Sequence, residues 1–179
     1  MPKYIAFLRA INVGGHTVKM DRLRGLFEAM GHSNVETFIA SGNVIFDATS
    51  KTPAALEKKI AVQLQASLGY EVATFIRTPT ELAAIIRYKP FSDAELNAAG
   101  HTLYIGLLPE PPSAAARNKL LASATKSYDF HIYGREVYWL CRKRFSESEF
   151  SGKQLEKTLG LPATLRNSTT VKKIAAKYA

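Results

Sequence analysis

Nine residues near the ends of apolar runs could do chemistry in this chain: Arg9, Asn12, Gly14, Gly15, Lys19, Ser41, Asn43, Arg166 and Asn167. An apolar stretch ends at Arg9, and the loop Asn12-Val13-Gly14-Gly15-His16 follows it. Glycines let a backbone turn its N–H groups toward an anion, and a helix that follows adds the positive end of its dipole. Arg9 and Arg166 each carry a planar guanidinium fork that fits phosphate or carboxylate. Lys19 adds a point charge, and Ser41, Asn43 and Asn167 offer hydrogen bonds where loops leave strands. Together they suggest anion binding. The same residues also have plainer uses. Gly14-Gly15 can simply allow a tight turn, either arginine can pair with a carboxylate, and asparagine is a common turn residue. The loop is not a dinucleotide fingerprint and has no P-loop lysine–serine pair, so it specifies no nucleotide.

Other chemistry finds little support. His16, His32, His101 and His131 show no H-x-x-x-H or H-E-x-x-H spacing, so no metal is expected, and no motif calls for a cofactor. There is no G-x-S-x-G elbow. The single cysteine, Cys141, lies in an apolar run where it reads as a small hydrophobe. It also excludes an internal disulfide, which fits the cytoplasm as the expected compartment. Arg9 interrupts the first apolar stretch, so a secretory leader is not expected. No run approaches the roughly 18–20 apolar residues needed to span a bilayer, so no membrane partner is expected. Tyr128, Phe130, Tyr133, Tyr138 and Trp139 could stack bases, but the RNA-recognition signature is missing. Core packing is their stronger account.

Charge is unevenly placed. The net charge is +9 over 179 residues. Residues 1–116 hold 11 Lys+Arg against 10 Asp+Glu, and residues 117–179 hold 13 against 5. A basic half meets polyanions readily, because neutralising phosphates releases counterions. Arg142, Lys143, Arg144, Lys172 and Lys173 are the candidate polyanion contacts. The plain alternative is a solvated basic surface.

These groups must be positioned by elements with readable periodicities. Lys3 to Arg9 reads as a buried strand. Leu23, Leu26, Phe27 and Met30 line one helical face, and Gly31 is a suitable stop. Val35–Ala40 and Val44–Ala48 read as strands about a tight Ser41-Gly42-Asn43 turn. Thr52-Pro53 opens a helix with Leu56, Ile60, Leu64 and Leu68 in a stripe, and Val72–Arg77 is a fourth strand. A further helix runs from Thr80 to Tyr88. The order then repeats: a strand over Thr102–Leu108, a helix from Ser113 to about Ala124, and a hairpin over Tyr128–Tyr133 and Glu136–Cys141. A helix over Ser151–Leu159, a strand over Ala163–Arg166 and a closing helix complete it. The expected fold is therefore α+β: two tandem ferredoxin-like βαββαβ subdomains with antiparallel sheets, each followed by an extra helix. The expected domains are residues 1–98 and 99–179, with 89–101 as connector and 142–152 as a solvated, mobile loop. Gly69-to-Arg77 followed by Thr78-Pro79-Thr80 parallels Gly160-to-Arg166 followed by Asn167-Ser168-Thr169. Internal duplication is the economical reading.

The stretch Tyr4-Ile-Ala-Phe-Leu-Arg-Ala-Ile-Asn-Val-Gly-Gly15, with Lys19-Met20 and Ser41-Gly42-Asn43-Val44, resembles the bacterial family called domain of unknown function 1697. Pro90-Phe91, Gly134-Arg135-Glu136-Val137-Tyr138 and Arg166-Asn167 extend the likeness over nearly the whole chain. The resemblance implies an α+β fold with ferredoxin-like halves, and no activity. The family pattern tends to place Trp-Asn-Thr after its Arg-Asn pair, where this chain has Ser168-Thr169-Thr170.

Two functions follow as expectations. The first is a cytoplasmic, non-catalytic protein that binds an anionic ligand, with nucleic acid as a candidate partner. The alternative is an enzyme acting on a small phosphorylated or carboxylated metabolite in a cleft between the halves.

Overall fold

The run Lys3–Leu8 forms strand β1, and every side chain from Tyr4 to Leu8 is buried. A strand with one wet face would alternate apolar and polar residues. This one does not alternate because it lies inside a sheet that is buried on both faces. The computed structural model describes residues 1–9, 11, 17–39, 42–143 and 151–179. These divide into two compact units, residues 1–82 with Ala179 and residues 83–178. Among the described residues there are two four-stranded antiparallel sheets and seven helices.

The first unit adds α1 (Met20–Ala29), β2 (Ser33–Thr37), β3 (Asn43–Asp47), α2 (Pro53–Leu68) and β4 (Thr74–Arg77). Its strand order is β2-β3-β1-β4, so β1 pairs with β3 on one side and β4 on the other. Tyr4, Ala6, Leu8, Val44, Phe46 and Ile76 form a core with Leu23 and Phe27 of α1 and Leu56, Ile60 and Leu64 of α2. The alternate side chains Ile5, Phe7, Ile45, Phe75 and Arg77 are also buried. Fully burying one such Leu, Ile or Phe contributes about 1.5–3 kcal/mol. The β2–β3 connection is longer than the expected tight turn. β2 ends at Thr37, and the Phe38 N–H donates to the Asn43 carbonyl at 3.0 Å across the loop.

The second unit begins within α3 (Pro79–Arg87). It continues through α4 (Asp93–Asn97), β5 (Thr102–Leu107), α5 (Ala114–Ala122), β6 (Tyr128–Tyr133) and β7 (Glu136–Cys141), then α6 (Gly152–Leu159), β8 (Thr164–Asn167) and α7 (Ser168–Tyr178). Its strand order is β6-β7-β5-β8. Trp139, Phe130, Val137 and Ile132 pack with Leu120 of α5 and Leu155 and Leu159 of α6. Tyr138 faces the other way, and its hydroxyl donates to the Ile85 carbonyl at 2.8 Å. The expected mobile loop lies mostly outside the described residues. Residues 89–101 were expected to be irregular, and part of them is α4, capped by the Ser92 hydroxyl accepting from the Glu95 N–H.

Candidate functional site

The candidate anion-binding residues fall in different settings. Asn12, Gly14, Gly15, Ser41 and Arg144 lie outside the described residues. Arg9, half-buried, follows β1, and its N–H donates to the Ala73 carbonyl at 3.0 Å. Lys19 is exposed at the start of α1, in extended backbone. Asn43 is fully buried, and its Nδ2 donates to the Phe38 carbonyl at 2.9 Å, closing the β2–β3 connection. Arg166 is buried as well. Its guanidinium donates to Thr164 Oγ1 at 2.8 Å and to the Leu165 carbonyl at 3.0 Å. Burial pushes that group down to about 10. Asn167 is exposed and holds the start of α7, its Oδ1 accepting from the Thr169 N–H at 2.9 Å. Arg77 is the counterpart of Arg166 in the first unit: Arg77 pairs with Ile5 as Arg166 pairs with Ile105. Each of these two guanidiniums is bonded within its own strand.

The polyanion candidates also separate. Arg142 is half-buried, with its guanidinium 2.8 Å from Glu95 and 3.9 Å from Asp129. That geometry is an internal ion pair, which ties β7 to α4. Lys143 is half-buried, and Lys172 and Lys173 are exposed on α7. The stronger basic surface lies elsewhere in the second unit. α5 and α6 pack against each other and expose Arg117, Lys119, Lys153 and Lys157. α5 contains no acid. The one acid of α6, Glu156, is half-buried and accepts from the Ala163 N–H at 3.1 Å. Four cations therefore stand on this helix layer with no exposed carboxylate on either helix. The asymmetry of charge hinted at this, but only burial separates cations held in pairs from those facing solvent.

The sequence reading missed a second feature, a cleft of about 270 Å³ in the first unit. α1 ends in a Schellman motif. The Gly31 N–H donates to the Glu28 carbonyl at 2.9 Å and the His32 N–H to the Phe27 carbonyl at 3.3 Å, with Gly31 at φ 89°. This turn delivers His32 to the cleft wall against Phe46, ring centroids 4.7 Å apart. Thr49, Ser50 and Lys59 are also in the wall. The Tyr4 hydroxyl fixes their segment by donating to the Ser50 carbonyl at 2.8 Å. The clues in the sequence were Gly31-His32 after a helix and Thr49-Ser50 before Thr52-Pro53. The aromatic hairpin, by contrast, is core: Trp139, Phe130 and Tyr138 are buried, and exposed Tyr133 stacks on Tyr88 at 4.4 Å. Among the described residues no group of three His, Cys, Asp or Glu could hold a metal ion. No helix among them is long and apolar enough to cross a membrane.

A family profile described as a protein of unknown function, DUF1697, matches residues 1–138. No curated protein matches the chain. Among solved structures, a conserved bacterial protein of Streptococcus pneumoniae, SP0830, is similar at a TM-score of 0.73 and 20% identity. The match covers 98% of this chain and 97% of the other. At that identity the likeness speaks for a shared fold.

Proposed function

The chain belongs to the DUF1697 family of proteins of unknown function, and on that premise we propose that it is a non-catalytic nucleic-acid-binding protein. The contact surface is the helix layer of its second unit. The observation that carries this reading is the set of four exposed cations, Arg117, Lys119, Lys153 and Lys157, on two packed helices that expose no carboxylate. Such a surface attracts a polyanion by counterion release and needs no base-specific contact. The reading includes the cytoplasm as its compartment. It also takes each unit as ferredoxin-like, with the first and third strands central, and the boundary at 98/99 as the junction of a duplication. The strand orders β2-β3-β1-β4 and β6-β7-β5-β8 support that view. So do the left-handed glycine caps, Gly69 after α2 and Gly160 after α6.

Fluorescence anisotropy with labelled single-stranded RNA and duplex DNA tests the reading. The expected result is binding at low salt that weakens by about tenfold or more between roughly 50 and 200 mM salt. The variant with Arg117, Lys119, Lys153 and Lys157 all changed to Ser is expected to bind much more weakly. No binding at low salt, or equal binding by that variant, overturns it.

A further inference from the structure

We propose that the start of β2, residues 32–35, is an acid-sensitive latch: protonating His32 releases this end of the edge strand from the first unit's sheet. β2 stands at the edge of that sheet and pairs with β3 alone. Its ladder is broken where it begins. Ser33 pairs with Asp47 and Glu36 with Ile45, so β2 carries one residue more than β3 over this stretch, the mark of a bulge. Asn34 sits in the bulge at φ 49°, a conformation that asparagine tolerates better than most residues. Three side chains fasten the segment. Val35 enters the core. Asn34 Nδ2 donates to Asp47 Oδ2 at 2.8 Å. The His32 ring packs on Phe27 of α1 and Phe46 of β3, with centroids 6.1 Å and 4.7 Å away.

The fastening carries a defect. His32 Nε2 and Ser33 Oγ, on adjacent residues, are both buried without a hydrogen-bond partner among the described residues. A buried polar atom without a partner is costly, and an opening that admits water removes that cost from both. Weakly held segments of this kind open at a lower free energy than the whole fold. Release bares the Asp47 end of β3, which β2 alone covers on that side.

Protonation adds to the same defect. A neutral imidazole can leave Nε2 as a bare acceptor, but an imidazolium carries a proton on both nitrogens. The Nε2 proton then meets an enclosure that offers it no acceptor. The charged groups around it do not help. Lys59 of α2 shares the cleft wall and repels the imidazolium. Asp47 of β3 is engaged by Lys3 and Asn34, Glu28 of α1 by Arg24, and Glu57 of α2 by the Ile76 N–H. The Tyr4 hydroxyl of β1 donates to the Ser50 carbonyl. Burial, and then Lys59, accordingly hold the proton affinity of His32 below the ordinary 6.5. Once the segment opens, the ring is hydrated and takes its proton at about 6.5. Closure is therefore fully favoured above about 6.5, weakens as pH falls below it, and levels off under the depressed closed-state value. The Asn34 bond and Lys3 hold the Asp47 carboxyl below its ordinary 3.8, so that clasp does not titrate in the same range. The latch lies in the first unit and the proposed nucleic-acid surface in the second, so each can fail alone.

Native-state hydrogen exchange of the full chain in low urea tests this, read by amide NMR at about pH 7.5 and about pH 5.5 and corrected for the intrinsic effect of pH. The amides of residues 32–35 are expected to exchange through an opening with less than about half the urea dependence of β1 and β4. Its population should rise several-fold, up to about tenfold, from the higher pH to the lower. His32→Gln should abolish the rise, and the wild-type His32 ring signals should titrate below 6.5. If residues 32–35 show the same urea dependence as β1, they open only with the whole fold and the proposal is overturned. It is equally overturned by an opening that ignores pH or by an equal rise in His32→Gln. A wild-type ring that titrates at or above 6.5 overturns it too, whether or not His32→Gln folds.

Discussion

His32 and Arg166 are both polar residues placed among apolar ones, and they should respond to their burial in measurable ways. The imidazole of His32 lies against Phe46, and burial together with Lys59 lowers its proton affinity below the ordinary 6.5. The unfolded chain then binds this proton at higher pH than the folded chain does. Stability therefore falls as pH drops through about 6.5 and levels off below the depressed folded value. Urea unfolding of the wild type and His32→Gln between about pH 8 and about pH 5 should show that loss in the wild type only. Matching pH profiles would refute the assignment. The Arg166 guanidinium donates to Thr164 and Leu165 of its own strand. Arg166→Ala leaves a cavity and removes both bonds, so it should cost about 3 kcal/mol. Nucleic-acid affinity of the folded variant should be unchanged. A stable variant that has lost binding would restore Arg166 as a ligand residue.

At the level of elements, the β2–β3 connection shows what the sequence could and could not tell. Gly42 was read as part of a tight turn, and its φ of 85° confirms the need for glycine. The register across the loop, however, is set by Asn43 and Phe38, whose mutual bonds cannot be seen in a pattern of apolar residues. A Cβ on Gly42 would stand 2.7 Å from Ile11 Cγ2 and 3.3 Å from the Leu8 carbonyl oxygen. Gly42→Ala should therefore destabilise by about 2 kcal/mol or more, combining strain with the clash. Thermal melting checks it, and an unchanged midpoint would mean the loop yields more easily than its packing suggests. The hairpin Tyr128–Cys141 was legible to the residue, because aromatic and β-branched runs flank Gly134-Arg135. Helix α4 was not. Its Ser92-to-Glu95 cap was present, but five residues are too few to give a periodicity. The cleft beside His32 was missed for another reason: it joins residues from positions 30 to 59 that no local motif links.

Across the whole molecule, the charge of the second half has to be divided between the two faces of its sheet. Val137 and Trp139 of β7 pack on α5 and α6, while Tyr138 between them lines a small apolar cavity with Ser168 and Lys172 of α7. Successive strand residues face opposite sides, so α7 lies across the sheet from α5 and α6. The exposed lysines of α7, Lys172 and Lys173, therefore belong to a different surface from the four cations on α5 and α6. A nucleic acid lying on one face should release counterions there and not on the other. Each phosphate contact contributes about 0.9 to the slope of log K against log salt on duplex DNA. Changing Arg117, Lys119, Lys153 and Lys157 to Ser should then reduce the magnitude of the slope by up to about 3.6. Changing Lys172 and Lys173 to Ser should reduce it by less than about 1. The comparison is made by anisotropy titrations over a salt series, with both variants checked for a wild-type melting temperature. Equal losses per removed charge from both faces would show that the chain attracts nucleic acid by its overall charge of +9, and the α5–α6 interface would be withdrawn.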